Sequence, residues 1–328
     1  MTKSWFARRG GEGLVRALWR RRRAGRRGSS AAAFESAIER LDVRVALAAD
    51  SFAGAPSDFI ALGGLTAFVA EDKAAGRELW VTDGTATGTR ILKDVNPGKA
   101  SSEPSELTVV GSTLYFTADN GTDGRELWKT DGTSAGTVLV KDIRPGKEKV
   151  FDWRQNKEVE RNAWSDPQGL LGFGGKVFFA ANDGVHGFEL WASDGTAQGT
   201  TLVKEIDPQS SSEEYADSGV PAFVVGGQLI VRAVDGMWAS DGTEAGTVKL
   251  GPVLLSRDWS LGGNKVSYAR LGDKVVFAGD DGSGVGVQPL ITDGTAAGTV
   301  LVAEIKSGAA GDSSTSREPA GSFVAAGA

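Results

Sequence analysis

Apolar residues in this chain fall in short runs. From residue 57 onward they are rich in Val, Leu, Phe and Thr and are separated by Gly, Asp and Asn. That is the pattern of strands and turns, and nothing in this region sustains the 3.6-residue period of an amphipathic helix. The runs also recur in a fixed order. A short apolar run closing on a Gly turn (59–64, 107–111, 170–175, 223–227) comes before a more strongly apolar one (65–70, 114–118, 177–181, 275–278). An acidic, Gly-rich turn follows, then a run containing Glu-Leu-Trp, then Asp-Gly-Thr, then a run of the type Val-Leu-Val-Lys-Asp-Ile. Each cycle therefore predicts four strands.

The Asp of Asp-Gly-Thr falls at Asp83, Asp131, Asp194, Asp241 and Asp293, with spacings of 48, 63, 47 and 52 residues. A sheet of about 48 residues buries too little to stand alone, so such units must pack on one another, and four-stranded units set around an axis make a β-propeller. The second run of each cycle is apolar on both faces, as a strand between two neighbours must be. The expected fold is therefore all-β: a propeller of four-stranded antiparallel blades, most simply five, over 51–322. A basic leader, disordered or helical, occupies 1–50. Residues 323–328 resemble the opening of a sixth repeat, so the chain is either a five-bladed monomer or the front of a longer array.

Within the motif, Trp80, Trp128, Trp191 and Trp238 share one position on the third strand and should point to one face, filling the gap between neighbours. The Asp of each Asp-Gly-Thr should accept the backbone N–H two residues on, with Gly supplying positive φ. The second Gly, as at Gly136, is expected to provide a further left-handed residue.

Gly124-Arg-Glu-Leu-Trp-Lys-Thr-Asp-Gly-Thr133, with its copies, resembles the ELWxxDGT repeat found in tandem in secreted bacterial proteins. The likeness spans roughly 57–306. It departs at Gly236-Met-Trp238 and at Gln288-Pro-Leu290, where the Trp is lost. It implies a β-propeller and export, and brings no general enzymatic assignment. In the leader, Phe34, Glu35, Leu41, Arg44, Leu47, Ala48 and Ala49 follow an arginine run and resemble the LEPRxLL segment of large planctomycete surface proteins. That likeness implies an address for export or surface display; the alternative is a solvated basic tail.

Charge narrows the partners. The chain has 36 basic and 42 acidic residues, of which 12 basic and 4 acidic lie in 1–44. The remainder is strongly acidic and would repel phosphate backbones, which argues against nucleic acid. No apolar run has the length of a secretory core or approaches the ~20 residues of a membrane span. With no cysteine, disulfides and thiolate zinc sites are excluded.

The spacing of 63 reveals an insertion at 148–166, expected as a connecting loop. Its Trp153, Arg154 and Trp164 are the candidate ligand-binding residues, for a sugar or a peptide; the alternative is a lid over the junction between units. The turns between second and third strands are acidic. Asp119 and Asp123 come nearest to a Ca²⁺ loop, though no Glu closes it at the twelfth position; otherwise no cofactor is implied. His186, the only histidine, lies in a turn. No catalytic residue is nominated, since nucleophile, zinc and phosphate-loop motifs are all missing. The expected function is a non-catalytic, secreted or surface-displayed module for carbohydrate or protein. The alternatives are a carbohydrate-active enzyme using Asp or Glu, and a fragment of a larger surface protein.

Overall fold

The structure is a computed structural model that describes residues 53–208, 218–255, 266–284 and 286–303. The leader 1–50 and the segment 323–328 lie outside these residues. The described chain is all-β. Unit 1 comprises β1 (Ser57–Leu62), β2 (Leu65–Asp72), β3 (Gly76–Thr82) and β4 (Arg90–Lys93). Unit 2 comprises β5 (Ser105–Val110), β6 (Thr113–Asp119), β7 (Arg125–Thr130) and β8 (Val138–Lys141). After it come β9 (Lys147–Asp152) and β10 (Lys157–Asn162), which pair only with each other. Unit 3 is β11 (Gln168–Phe173), β12 (Lys176–Asn182), β13 (Phe188–Ser193) and β14 (Thr201–Lys204). Unit 4 is β15 (Val220–Val225), β16 (Gln228–Ala233), β17 (Gly236–Ser240) and β18 (Val248–Gly251).

Each of these four units is one antiparallel sheet in chain order. The fifth departs from the expected four strands. It holds β19 (Leu254–Leu255), β20 (Tyr268–Leu271), β21 (Lys274–Asp280), β22 (Gln288–Thr292) and β23 (Val300–Leu301). There β19 and β20 share one edge of β21: Leu255 pairs with Gly279, and Tyr268 with Phe277. The first strand is thus split in two.

Successive units pack face to face, which is why the second strands are buried on both sides. Trp128 and Phe116 of unit 2 enter a core with Ala67, Val69, Leu79 and Val81 of unit 1. Trp191 and Phe179 of unit 3 do the same against Tyr115 and Leu127 of unit 2. Trp238 packs against the core that joins units 3 and 4. In unit 5, Leu290 takes the Trp position and joins Phe223, Ile230 and Met237 of unit 4. Trp80 clusters with Phe68 and Ala70 of its own sheet.

The Asp-Gly-Thr loop has one geometry throughout. At Asp131, Oδ1 accepts from Thr133 N at 2.9 Å and Thr133 Oγ1 at 2.7 Å. Gly136 N donates to Thr133 Oγ1 at 2.9 Å. The same three bonds form at Asp83, Asp194, Asp241 and Asp293. Gly132 has φ +91° and abuts Leu65 of unit 1. Gly136 is not left-handed, contrary to the expectation from sequence. It is glycine because a Cβ there would land on the Asp131 carboxylate. The reason is space and not backbone conformation.

Candidate functional site

The turns between second and third strands and the connections between units lie at the opposite end of each sheet from the Asp-Gly-Thr loops. At this end the first strands carry β-bulges, with register shifts between Ser57 and Ile60, Ser105 and Thr108, and Gln168 and Leu171. The bulges place Asp58 (φ 55°) and Glu106 (φ 57°) in the left-handed region, where unit 3 uses Gly169. Glu103 (φ 47°) and Asp166 (φ 45°), just before β5 and β11, adopt the same conformation. Non-glycine residues in that region cost about 1–2 kcal/mol each, and such strain collects at functional positions. Four acidic residues sharing it at one end of three adjacent sheets single out this rim.

Two arginines join the rim together. Arg77 donates to Ser57 Oγ at 2.8 Å and lies 3.8 Å from Asp58 and 3.4 Å from Glu103. Arg125 donates to the Glu103 carbonyl at 2.9 Å and to Ser105 Oγ and Thr117 Oγ1, and lies 3.9 Å from Asp166. The Glu106 carboxylate accepts from Gly169 N at 3.1 Å, bridging units 2 and 3. Charged side chains thus alternate in sign across three units, partly open to solvent. Sequence reading passed over this set because Arg77 and Arg125 sit inside the repeat phrase. The available signal was the Arg in Gly-Arg-Glu-Leu-Trp, which becomes Phe188 in unit 3.

Three carboxyls beneath the rim have perturbed acidity. Burial pushes Glu78, Glu126 and Glu189 each up to about 7, against hydrogen bonds that favour the anion. Glu126 accepts from Ile143 N, Ser165 N and Ser165 Oγ. Glu78 accepts from Val95 N, Ser102 N and Ser102 Oγ. Glu189 takes Ile206 N and Asp207 N. A raised carboxyl often marks a catalytic acid. These are fully buried, recur at one motif position and spend their oxygens on backbone N–H groups and, in Glu78 and Glu126, on a serine hydroxyl. They are internal ties from the third strand to the connection that follows the fourth.

The insertion is a β-hairpin and not the expected loop, and it separates the candidate residues. Trp153 and Arg154 lie in its tip, and Trp153 is 84% exposed. Trp164 lies beyond the root, beneath the Arg161 guanidinium at 3.9 Å. Five residue steps separate the pair Asp152–Lys157 from the pair Lys147–Asn162, so tip and root are roughly 17 Å apart. Trp164 belongs to the anchor and Trp153 to the surface.

The acidic turns are occupied by hydrogen bonds from within the turn. Asp119 accepts from Gly121 N at 2.7 Å, and Asp123 accepts from the Asn120 side chain at 2.7 Å. Among the described residues, no group of three or more His, Asp or Glu side chains is placed to hold a metal ion. His186 Nδ1 lies 2.7 Å from Asp183, whose carboxylate raises the imidazole above its ordinary value. No helix of the described residues is long and apolar enough to cross a membrane.

No protein-family model matches the chain, and no curated protein matches it. Among solved structures it is similar to a puromycin hydrolase, at 16% identity and TM-score 0.31, covering 80% of this chain and 48% of that one. It is also similar to a family 117 glycoside hydrolase from the marine bacterium Zobellia galactanivorans, at 13% identity and TM-score 0.27, covering 68% and 77%. A third is an α-L-arabinofuranosidase from Clostridium thermocellum, at 15% identity and TM-score 0.23, covering 76% and 73%. The chain thus spans about half the length of the puromycin hydrolase, and at these scores the likenesses carry no argument about activity.

Proposed function

We propose that this chain is an exported or surface-displayed β-propeller of five blades that acts as a non-catalytic binding module for carbohydrate or protein. The observation that carries the binding role is the hairpin: a single insertion, fixed at its root by ion pairs, that presents an 84% exposed tryptophan at its tip. Export rests on the ELWxxDGT and LEPRxLL resemblances of the sequence. A glycan and peptide array probed with the full chain and with Trp153→Ala tests the role. Retention of a ligand by the wild type and its loss in the variant supports it; equal retention by both removes the hairpin from the function.

The five-bladed ring is tested at the two end faces, which do not cover each other in this structure. Leu271 ends the first strand of unit 5 and is 63% exposed, whereas its counterparts Leu62 and Val225 are 4% and 2% exposed under the next unit. Val302 is 53% exposed, against 6% for its counterpart Val140. At the other end, Gly84 has nothing within 4 Å of a Cβ position, although Gly132, Gly195, Gly242 and Gly294 each abut the preceding unit. These uncovered half-interfaces are the surfaces that ring closure, or a further unit, would bury. The chain lacks cysteine, so Leu271→Cys and Val302→Cys can be labelled singly. Slow labelling in a monomer supports closure; slow labelling only in a larger species means a second copy fills the face. Rapid labelling in a monomer defeats the ring.

A second reading, hydrolysis of a glycan, has one observation behind it: Asp58 and Glu103 both lie within 4 Å of Arg77 at the rim. Glycan cleavage that is lost in Asp58→Asn or Glu103→Gln would replace the first reading.

A further inference from the structure

The hairpin of β9 and β10 leaves a strand edge open. Among the described residues β9 pairs with β10 and with no other strand. At the root, Ala163 N donates to the Gly146 carbonyl at 3.0 Å. Counted up the ladder from that rung, antiparallel alternation puts the mutually bonded pairs at Glu148–Arg161, Val150–Val159 and Asp152–Lys157. The backbone N–H and C=O groups of Lys147, Lys149 and Phe151 therefore point out of the ribbon on one side. Those of Glu158, Glu160 and Asn162 point out on the other. An edge of this kind is a template for a further strand.

The two edges differ. That of β10 is held at its base, where Asn162 donates to the Gly121 carbonyl of unit 2 at 3.0 Å, and carries Glu158 and Glu160 above. That of β9 runs without Pro, Gly or bulge. Lysines are a usual guard against edge pairing, but Lys147 lies 3.6 Å from Glu160 across the ribbon. Beyond Lys149 the edge ends in apolar surface. Phe151 is 42% exposed and Trp153 84%, and the two rings meet edge to face with centroids 4.6 Å apart. Charge on this face is balanced, with Glu160 opposite Lys149 and Glu158 opposite Phe151. What the edge offers is unpaired backbone and aromatic surface.

We infer that β9 pairs antiparallel with β9 of a second copy of this chain, about a two-fold axis at Phe151. This rests on the binding-module reading, taken for protein, and names the partner. Space around the hairpin dictates the arrangement. Neighbouring strands lie ~4.8 Å apart, whereas a folded body of ~250 residues has a radius of gyration of about 18 Å. Two hairpins joined side by side with tips aligned would drive their bodies into each other. Tips pointing past each other keep the bodies at opposite ends of a four-stranded ribbon, with the roots about 27 Å apart along the strands. Charge then chooses the edge. A two-fold pairing of β10 about any residue from Glu158 to Glu160 sets carboxylates opposite one another, which is destabilising. Pairing β9 about Phe151 sets the two Phe151 rings opposite each other and Lys149 beside Trp153 of the second copy, a cation–π arrangement.

Sedimentation of the full chain at rising concentration tests this. A monomer–dimer equilibrium is expected, since so short a strand pair is a small, weak interface. Proline at an outward-facing N–H blocks an edge and keeps every bond of the hairpin. Lys149→Pro should weaken the dimer by about tenfold or more, and Trp153→Ala should weaken it too. Glu160→Pro, at the same height on the opposite edge, should leave it unchanged. The chain has no cysteine, and bonded partners in an antiparallel ladder have Cα atoms ~5.5 Å apart, within disulfide reach. Phe151→Cys should therefore oxidise to a covalent dimer, and Glu158→Cys should not. A chain that stays monomeric, or whose association ignores Lys149→Pro, overturns the inference; the second result assigns the association to the end faces of units 1 and 5. Loss of association in both proline variants also overturns it, because a two-fold pair uses one edge. An array peptide retained by the monomer and lost in Lys149→Pro replaces the second copy with another protein's strand. A monomeric chain whose array ligand is lost in Trp153→Ala but kept in Lys149→Pro removes the dimer and leaves the module standing.

Discussion

Units 1 to 3 and units 4 and 5 are built on one plan with different fittings. The first three carry the buried Glu ties; in the last two the position is Gly236 and Gln288. In units 1 and 2 the Lys closing the fourth strand reaches the next unit. Lys93 Nζ donates to the Thr137 carbonyl at 2.8 Å and lies 6.0 Å from the Trp128 ring centre, and Lys141 repeats this with Thr200 and Trp191. Unit 4 has Gly251 there. The Asp-Gly-Thr loop, by contrast, keeps the same bonds in all five units. A turn is a local device with one solution. Contacts between units are distributed over many side chains and have several, as Leu290 in place of Trp demonstrates.

If that contrast is right, the largest loss comes from emptying an interface in the front half. Trp128→Ala should cost about 3–5 kcal/mol, and Trp238→Ala, at a half-buried site, about 1–2 kcal/mol, both read from denaturant midpoints. Equal losses would erase the distinction between the two regions.

The pH profile comes next. Between about 4.5 and about 7, Glu78, Glu126 and Glu189 keep a proton in the folded chain that the unfolded chain has released. Stability should therefore fall as pH rises through that window, by up to about 1.4 kcal/mol per pH unit for each group. Glu126→Gln should flatten the slope. The turn aspartates act oppositely: bonds from their own Thr hold Asp83, Asp131, Asp194, Asp241 and Asp293 below the ordinary carboxylate value. Their contribution is lost only as pH drops through those lowered values. A profile that rises from pH 5 to 8 contradicts the burial argument.

A smaller effect probes the loop. Gly136→Ala should cost about 1–3 kcal/mol by crowding the Asp131 carboxylate. The same change in an Asp131→Ala background should cost clearly less, since the obstacle is gone; additivity would instead point to backbone conformation. The smallest change is Lys93→Met, which removes one carbonyl bond and a distant ring contact. It should cost about 1 kcal/mol or less, whereas substituting Lys249, which belongs to the rear half and pairs with exposed Asp235, should leave the midpoint nearly unchanged.

Much of this was legible in the residues. Run length and Gly spacing predicted the strands of units 1 to 3 closely, because turn chemistry is written within four or five neighbouring residues; the second strand of unit 4, Gln228–Ala233, was not named. The extra strand of unit 5 was not, because Leu254–Leu255 acquires strand geometry only by meeting Gly279 and Asp280, some twenty-five residues later. Nor was the hairpin: charges of both signs in 148–166 read as a loop until Lys147–Asp152 and Lys157–Asn162 are seen to pair. The candidate Trp153 and Trp164 looked like a pair for the same reason.

By itself, then, the chain determined an all-β body, the positions of five Asp-Gly-Thr turns and a Trp position on the third strand, since period and local hydrogen bonding suffice for these. Only tertiary structure decided which sheet each Trp packs on, why Gly136 must be glycine, and that Asp58, Arg77, Glu103, Arg125 and Asp166 form one rim. Those depend on distances between residues far apart in sequence, and burial, charge pairing and steric exclusion act through space.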